Sequence, residues 1–322
     1  METADASLVD QRSTSLAGHV PETRSDRAKE RRITPNNLTD FLNNWICPMS
    51  QMTINTPSNA MLARLARKLR GFKIQPTGRI TETGHELACV KVHHNGQSAT
   101  LHVRLGTTDV DLVTMIYQAQ CMYHLPRQVQ PKIIFDCGAN IGMTASYFAM
   151  TYPNAQIYCF EPLPDNLAIL RENVEQFGDR VTILPYGVSD SVGSFTYNMS
   201  ANPNSFGGGT FCKVGGDDER AVELPVRTVG DVMDELGIMQ VDLFKLDTEG
   251  SEYAILQGTP STIYRNAQAL VGELHGVKDW DFCNLIDESH NIGINKAWDR
   301  RCYEFVAIRR DLHESNHPLI AA

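Results

Sequence analysis

Lys132-Ile133-Ile134-Phe135-Asp136-Cys137-Gly138-Ala139-Asn140-Ile141-Gly142-Met143-Thr144 is the stretch that decides the fold, and it closes on Ile157-Tyr158-Cys159-Phe160-Glu161. Ile133, Ile134 and Phe135 form a short apolar run, the pattern of a buried strand, and Asp136 ends it. Gly138 and Gly142 let the backbone turn tightly. A helix follows through Tyr147 and Phe148. A second apolar strand, 157–160, ends in another acid, Glu161. A glycine turn after one strand and a carboxylate after the next make half of a nucleotide-binding α/β unit.

The alternation continues downstream. Expected strands are 181–188, 194–197, 222–228, 241–246 and 269–273, with helices over 165–177, 229–236, the segment after Gly250 and about 278–289. Pro162 and Pro164 mark the start of the 165–177 helix. Repeated strand–helix units require a mostly parallel sheet covered on both faces. Two last stretches, about 290–295 and 302–309, fit a terminal antiparallel pair. Residues 198–220 carry Gly207-Gly208-Gly209 and Gly215-Gly216 among polar residues, a candidate lid.

Upstream, residues 1–35 are polar and predicted to be a disordered tail. Helical spacing appears over 37–46 and 58–69. Residues 86–93 and 98–105 alternate around His94-Asn95-Gly96-Gln97, the signal of a β-hairpin. Arg104 and the turn Thr107-Thr108-Asp109 then lead into a helix through Val113 and Ile116. Thr108 or Asp109 is placed to cap that helix. The alternative is that Arg104 and Asp109 face a substrate. The domain plan is a tail at 1–35, N-terminal helices and hairpin forming a cap or substrate region at 36–130, a catalytic domain at 131–311 and a short tail at 312–322.

Composition narrows the class. With 322 residues and 42% hydrophobic content, a sizeable core can form. The net charge of -9 disfavours a phosphate backbone as partner, so no nucleic acid is expected. No segment has the length and apolarity of a membrane span, and no leader with an apolar core opens the chain. The eight cysteines include no C-x-x-C pair, which argues against a zinc ribbon or a thioredoxin-like site. A cytoplasmic protein, not attached to a membrane and compatible with homo-oligomerisation, is the expectation.

In open α/β sheets, ligands bind outside the carboxyl ends of the strands. The residues closing the strands are Asp136, Glu161, Val188, Asp247 with Glu249, and Glu273 with His275. The turn Asp136-x-Gly138-x-Asn140-x-Gly142 is not G-x-G-x-x-G. An anion at the strand end opposes a pyrophosphate and suits a cationic ligand, such as the ammonium or sulfonium end of S-adenosylmethionine. Glu161 can accept ribose hydroxyls, as in any adenosine cofactor. An NAD-dependent oxidoreductase and a non-catalytic adenosine-binding module stay open as alternatives.

Taken together, Ile134-Phe135-Asp136-Cys137-Gly138-Ala139-Asn140-Ile141-Gly142, Phe160-Glu161-Pro162 and Val241-Asp242-Leu243-Phe244-Lys245-Leu246-Asp247-Thr248-Glu249-Gly250-Ser251-Glu252 resemble the FkbM family of S-adenosylmethionine-dependent methyltransferases. The resemblance covers roughly 100–310. Its most specific part is the K-x-D-x-E-G-x-E element, and Arg104 with Thr108-Asp109 resembles an upstream element. It implies a class I, Rossmann-like fold with a seven-stranded sheet, acting most often on a hydroxyl of a sugar or secondary metabolite. It also implies that Asp136, Gly138, Asn140 and Gly142 surround the methionine end of the cofactor. Glu161 would then meet the ribose and 187–190, with Val188, the adenine.

The strand order of such a fold brings Asp247 and Glu249 near the transferred methyl. Glu273 and His275 lie two apart on the next strand. His275 titrates near neutrality and is the first candidate for general base, with Glu249 or Asp247 second. A divalent cation such as magnesium on Asp247, Glu249, Glu273 and His275 is the alternative way to activate an acceptor hydroxyl. A carboxylate or amine acceptor is the runner-up to a hydroxyl on a small molecule.

Overall fold

The computed structural model describes residues 71–118, 121, 123–198, 221–276, 278–296 and 302–313. The predicted tail at 1–35, the helices at 37–46 and 58–69, and nearly all of the candidate lid lie outside the described residues. The N-terminal elements are β1 (Lys73–Ile80), β2 (Glu86–His94), β3 (Gln97–Arg104) and α1 (Asp109–Tyr117). Next come β4 (Ile133–Cys137), α2 (Met143–Thr151), β5 (Gln156–Phe160), α3 (Pro164–Val174) and, past a 3-10 segment, β6 (Val181–Leu184). A small sheet follows from β7 (Gly187–Val188), β8 (Gly193–Asn198) and β9 (Ala221–Arg227). The chain continues with α4 (Val229–Leu236), β10 (Leu243–Leu246), α5 (Glu252–Gln257), α6 (Ser261–Asn266), β11 (Ala269–Leu274), α7 (Asp279–Ile286), β12 (His290–Lys296) and β13 (Tyr303–Arg309).

Seven strands form the main sheet in the order β12-β13-β11-β10-β4-β5-β6. Its central strands run parallel, and β13 runs antiparallel to both neighbours. From β4 the chain builds outward through β5 and β6, then returns to lay β10 and β11 on the other side. The crevice between β4 and β10 is therefore the topological switch point, where open α/β sheets take their ligands. Alternation along the strands feeds two apolar layers. Ile134, Leu243 and Val271 face α2 and α3; Phe135, Phe244 and Leu270 face α4 to α7.

The β2–β3 hairpin turns at Asn95 and Gly96, with φ of 49° and 74°, the left-handed pair a two-residue type I′ loop needs. β1 completes a three-stranded sheet that the hairpin pattern alone does not reveal. Pro76 and Gly78 interrupt its alternation, and its register with β2 shifts between Pro76 and Ile80. The free edge of β3 is closed by side-chain amides. Asn173 accepts from the His102 N–H at 2.6 Å and donates to its carbonyl at 3.1 Å. Gln176 does the same at Thr100, at 3.1 and 3.0 Å.

The structure corrects the expectation that Arg104 and Asp109 face a substrate. Both are fully buried. Arg104 donates through Nε and Nη2 to the Asp109 carboxylate at 2.8 and 3.0 Å, and through Nη2 to Asn166 of α3 at 2.9 Å. A fork-to-fork pair of this kind locks β3 and α1 onto α3. Asp109 is committed to Arg104, while Thr108 stands at the expected N-cap position of α1 but makes no side-chain cap hydrogen bond. Among the described residues, no helix is long and apolar enough to cross a membrane.

Candidate active site

β4 and β10 end side by side, with Asp136 opposite Lys245 in register. Both side chains are buried, and their charges lie 3.3 Å apart. Lys245 Nζ also donates to the carbonyls of Gly138 at 2.6 Å and Cys137 at 3.3 Å, and lies 3.7 Å from Asp247. Burial alone would lower the ammonium pKa, but Asp136 and Asp247 outweigh it and raise it. Burial likewise pushes the Asp136 carboxyl up, opposed by Lys245. The expected meeting of Asp136 with a cationic ligand is therefore corrected. Asp136 already holds a cation, is closed to solvent, and acts on the turn through Lys245.

The turn itself is built on bare backbone. The N–H groups of Gly138 and Ala139 both donate to the Phe160 carbonyl, at 3.0 and 2.9 Å. Gly138 has φ of 80°, and a Cβ there would come within 2.0 Å of the Asp247 carbonyl oxygen. Only glycine lets the two strand ends approach so closely. Gly142, at φ of 82°, starts α2. Glu161 accepts from the backbone N–H of Asn140 at 2.8 Å and of Leu163 at 2.9 Å. Burial pushes its carboxyl up to about 6, against those bonds and one with Asn166. With the Asn166 bond counted, one of the four lone-pair positions of Glu161 stays open for a ligand hydroxyl. Asn140 Oδ1 is buried with no hydrogen-bond partner. Val188 is buried at the end of β7, packed in the layer beneath α4 to α7, and Ser189 continues from it onto the Arg227 carbonyl.

Next to this turn, four carboxylates surround one imidazole. His275 Nδ1 lies 3.2 Å from Glu252 Oε1, and Nε2 lies 3.3 Å from Glu273, 3.7 Å from Glu249 and 3.9 Å from Asp247. Burial would lower the His275 pKa, but hydrogen bonds to Cys302, Glu252 and Glu273 overcome it and raise it strongly. The imidazole is thus a cation at neutral pH, and an imidazolium cannot act as a base. This changes the expected ranking. Burial and the neighbouring acids Glu273 and Glu252 push Asp247 up to about 6, opposed by Lys245 and His275. Burial and the acids Asp247, Glu252 and Glu273 push Glu249 well above the usual range, against His275. The push is the stronger at Glu249, so Asp247 is the carboxyl that gives up its proton more readily. Their side chains are 28% and 25% exposed, open enough to meet an acceptor. Asp247, Glu249 and His275 also offer ligand atoms within 4.8 Å of one another, a spacing a cation could bridge.

Sequence reasoning placed Glu252 only as the last residue of the K-x-D-x-E-G-x-E element, with no role of its own. Its Oε1 accepts from the N–H of Thr248 at 2.8 Å and of Gly250 at 3.2 Å as well as from His275. Burial raises its carboxyl, but the His275 contacts outweigh this and lower it. It fixes the turn in which Glu249 takes a left-handed φ of 58°. Cys302 escaped notice altogether. It stands just before β13, beside β11, and its thiol donates to Glu273 at 2.9 Å. No spacing rule links positions 273, 275 and 302; only the β11–β13 pairing does.

A doubly wound sheet with this strand order, a glycine turn at its switch point and acids on the adjoining strand ends defines a Rossmann-like methyltransferase. The FkbM methyltransferase domain matches residues 136–314, and the chain belongs to that family. It is similar to the 31-O-demethyl-FK506 methyltransferase FkbM of Streptomyces tacrolimicus, with 25% identity over 55% of this chain and 78% of that one. Methyltransferase sdnD of Sordaria araneosa is 27% identical over 61% of this chain and 87% of its own. The hexuronic acid methyltransferase AglP of Haloferax volcanii is 28% identical over 50% of this chain and 63% of its own.

Proposed function

We propose that this methyltransferase uses S-adenosylmethionine to methylate a hydroxyl of a small molecule, a sugar or secondary metabolite. The observation that carries the reading is the Asp247 carboxyl, 3.7 Å from Lys245 Nζ and 3.9 Å from His275 Nε2, beside the Gly138 turn. The names of the Streptomyces and Haloferax relatives, with 31-O-demethyl-FK506 and a hexuronic acid as what they methylate, support an oxygen-bearing acceptor.

The residues around the switch point fit the cofactor. The orphaned Asn140 Oδ1 seeks a donor, and Glu161 keeps a lone pair for a ribose hydroxyl. When bound, S-adenosylmethionine supplies an electrophilic methyl on a sulfonium. The chain's part is to align the acceptor and remove its proton. Positioning of that kind can supply several kcal/mol, up to roughly 7–11 in ideal cases. Asp247 accepts the hydroxyl proton at Oδ1, the oxygen facing His275. Lys245 and His275 hold the carboxylate in place from either side. Glu252 fixes the imidazolium through Nδ1.

The test is mass spectrometry of hydroxylated, carboxylated and amine-bearing acceptors incubated with methyl-labelled cofactor. Label on a hydroxyl oxygen, lost with Asp247→Asn, supports the reading. Label on a carboxylate with undiminished transfer by Asp247→Asn sinks it, because an ester-forming carboxylate needs no base.

A further inference from the structure

Cys302 is a buried thiol that methyl transfer does not use. It is 3% exposed, at the edge of the acid cluster. Glu273, His275 and Cys302 each offer one ligand atom, and these atoms all lie within 4.8 Å of one another. The thiol sits 2.9 Å from the same Glu273 oxygen that lies 3.3 Å from His275 Nε2. Sulfur, imidazole nitrogen and carboxylate oxygen together are a donor set for a thiophilic divalent ion, not for magnesium.

The surroundings complete the case. A metal-bound histidine is normally oriented by a carboxylate on its other nitrogen. Here Glu252, buried and fixed by two backbone N–H groups, lies 3.2 Å from Nδ1 and leaves Nε2 to the cluster. Three protein donors on one side leave a fourth position open toward Glu249 and Asp247, which lie 3.7 and 3.9 Å from Nε2. Glu273 and His275 are the accessible side of the group, 17% and 14% exposed, so an ion enters from the acceptor side.

We propose that Glu273, His275 and Cys302 form an inhibitory site for a thiophilic divalent cation, zinc being the representative ion. Binding forms metal–sulfur, metal–nitrogen and metal–oxygen bonds and releases the Cys302 thiol proton and the Nε2 proton to solvent. No oxidation is involved. The ion replaces the imidazolium beside Asp247 and occupies the space where the acceptor hydroxyl must stand, so methyl transfer stops. Binding itself does not depend on the identity of the acceptor.

The experiment uses the full-length protein freed of metal with a chelator. Zinc is titrated by calorimetry, and cobalt(II) by absorption. The expected result is one zinc per chain, inhibition reversed by chelator, no inhibition by magnesium, and a thiolate-to-cobalt charge-transfer band. Cys302→Ser removes the band and weakens zinc binding by more than about tenfold, since even losing an outer partner costs that much. A Cys302→Ser protein with the same band or the same zinc affinity overturns the proposal. If that variant does not fold, zinc-edge X-ray absorption on the wild type decides. One sulfur among nitrogen and oxygen neighbours is expected, and no sulfur or several overturns it.

Discussion

Glu252 Oε1 lies 3.2 Å from His275 Nδ1 while it accepts the Thr248 N–H at 2.8 Å. One buried oxygen therefore ties the turn after β10 to the end of β11. In Glu252→Ala the shared acceptor is lost, leaving His275 Nδ1–H and the Thr248 and Gly250 N–H groups unpaired. Leaving such a group unsatisfied costs about 1–3 kcal/mol, more where charge is involved. Urea unfolding reads that loss. A turnover loss larger than the stability change explains, with cofactor affinity kept, separates positioning of His275 from plain structure.

Asp247→Asn keeps the shape of the side chain and removes the base. Turnover with a hydroxyl acceptor falls by about 100–10,000-fold, the usual share of general base catalysis. The dissociation constant for the methyl donor changes little, because Asn140, Glu161 and the Gly138 turn are untouched. His275→Gln also slows the reaction, through orientation of the cluster. An activity loss confined to His275 variants, with Asp247→Asn near wild type, would return the base role to the histidine.

Arg104 and Asp109 make the opposite prediction to a substrate-binding pair. Removing one partner of a buried ion pair costs about 3–5 kcal/mol. Asp109→Ala therefore lowers the unfolding free energy by that order, measured by urea denaturation. At temperatures where it stays folded, its Michaelis constant for acceptor matches the wild type. A raised Michaelis constant with unchanged stability would contradict the structural role.

His290 sets a pH window for stability. It is almost fully buried, with Nε2 3.0 Å from the Ala267 carbonyl and Nδ1 2.8 Å from the Ser289 hydroxyl. The Ala267 carbonyl can only accept, so Nε2 carries a proton. Burial lowers its pKa to about 4, from an ordinary value of 6.5. Between those values the unfolded chain binds a proton that the folded chain does not, so stability falls as pH drops from about 6.5 toward 4. Unfolding curves at pH 7.5 and 5 for wild type and His290→Gln measure this, and the variant shows a smaller pH difference.

The parts of the fold legible in sequence are those with local grammar. Ile133–Phe135, Gly138 and Gly142 announce strand and turn, and Asn95-Gly96 announces the hairpin. β13 against β12 is visible as two late apolar runs. What sequence could not show is which polar residues end up buried. Arg104 and Asp109 have the composition of a binding pair, and only packing against Asn166 reveals them as an internal clamp. Asp136 carries the charge expected at a strand end, but its cation comes from Lys245, more than a hundred positions away. The His275 environment is assembled from three strand ends and a helix start, so its partners Glu252 and Cys302 have no common spacing. The imidazole's charge state follows from that assembly alone.

The central claim is that the β4–β10 crevice holds S-adenosylmethionine. Calorimetric titration of the purified protein with S-adenosylmethionine and, separately, with NAD tests it most directly. The account predicts saturable heat with S-adenosylmethionine, strongly reduced in Glu161→Ala, and none with NAD. Heat with NAD and none with S-adenosylmethionine would contradict it.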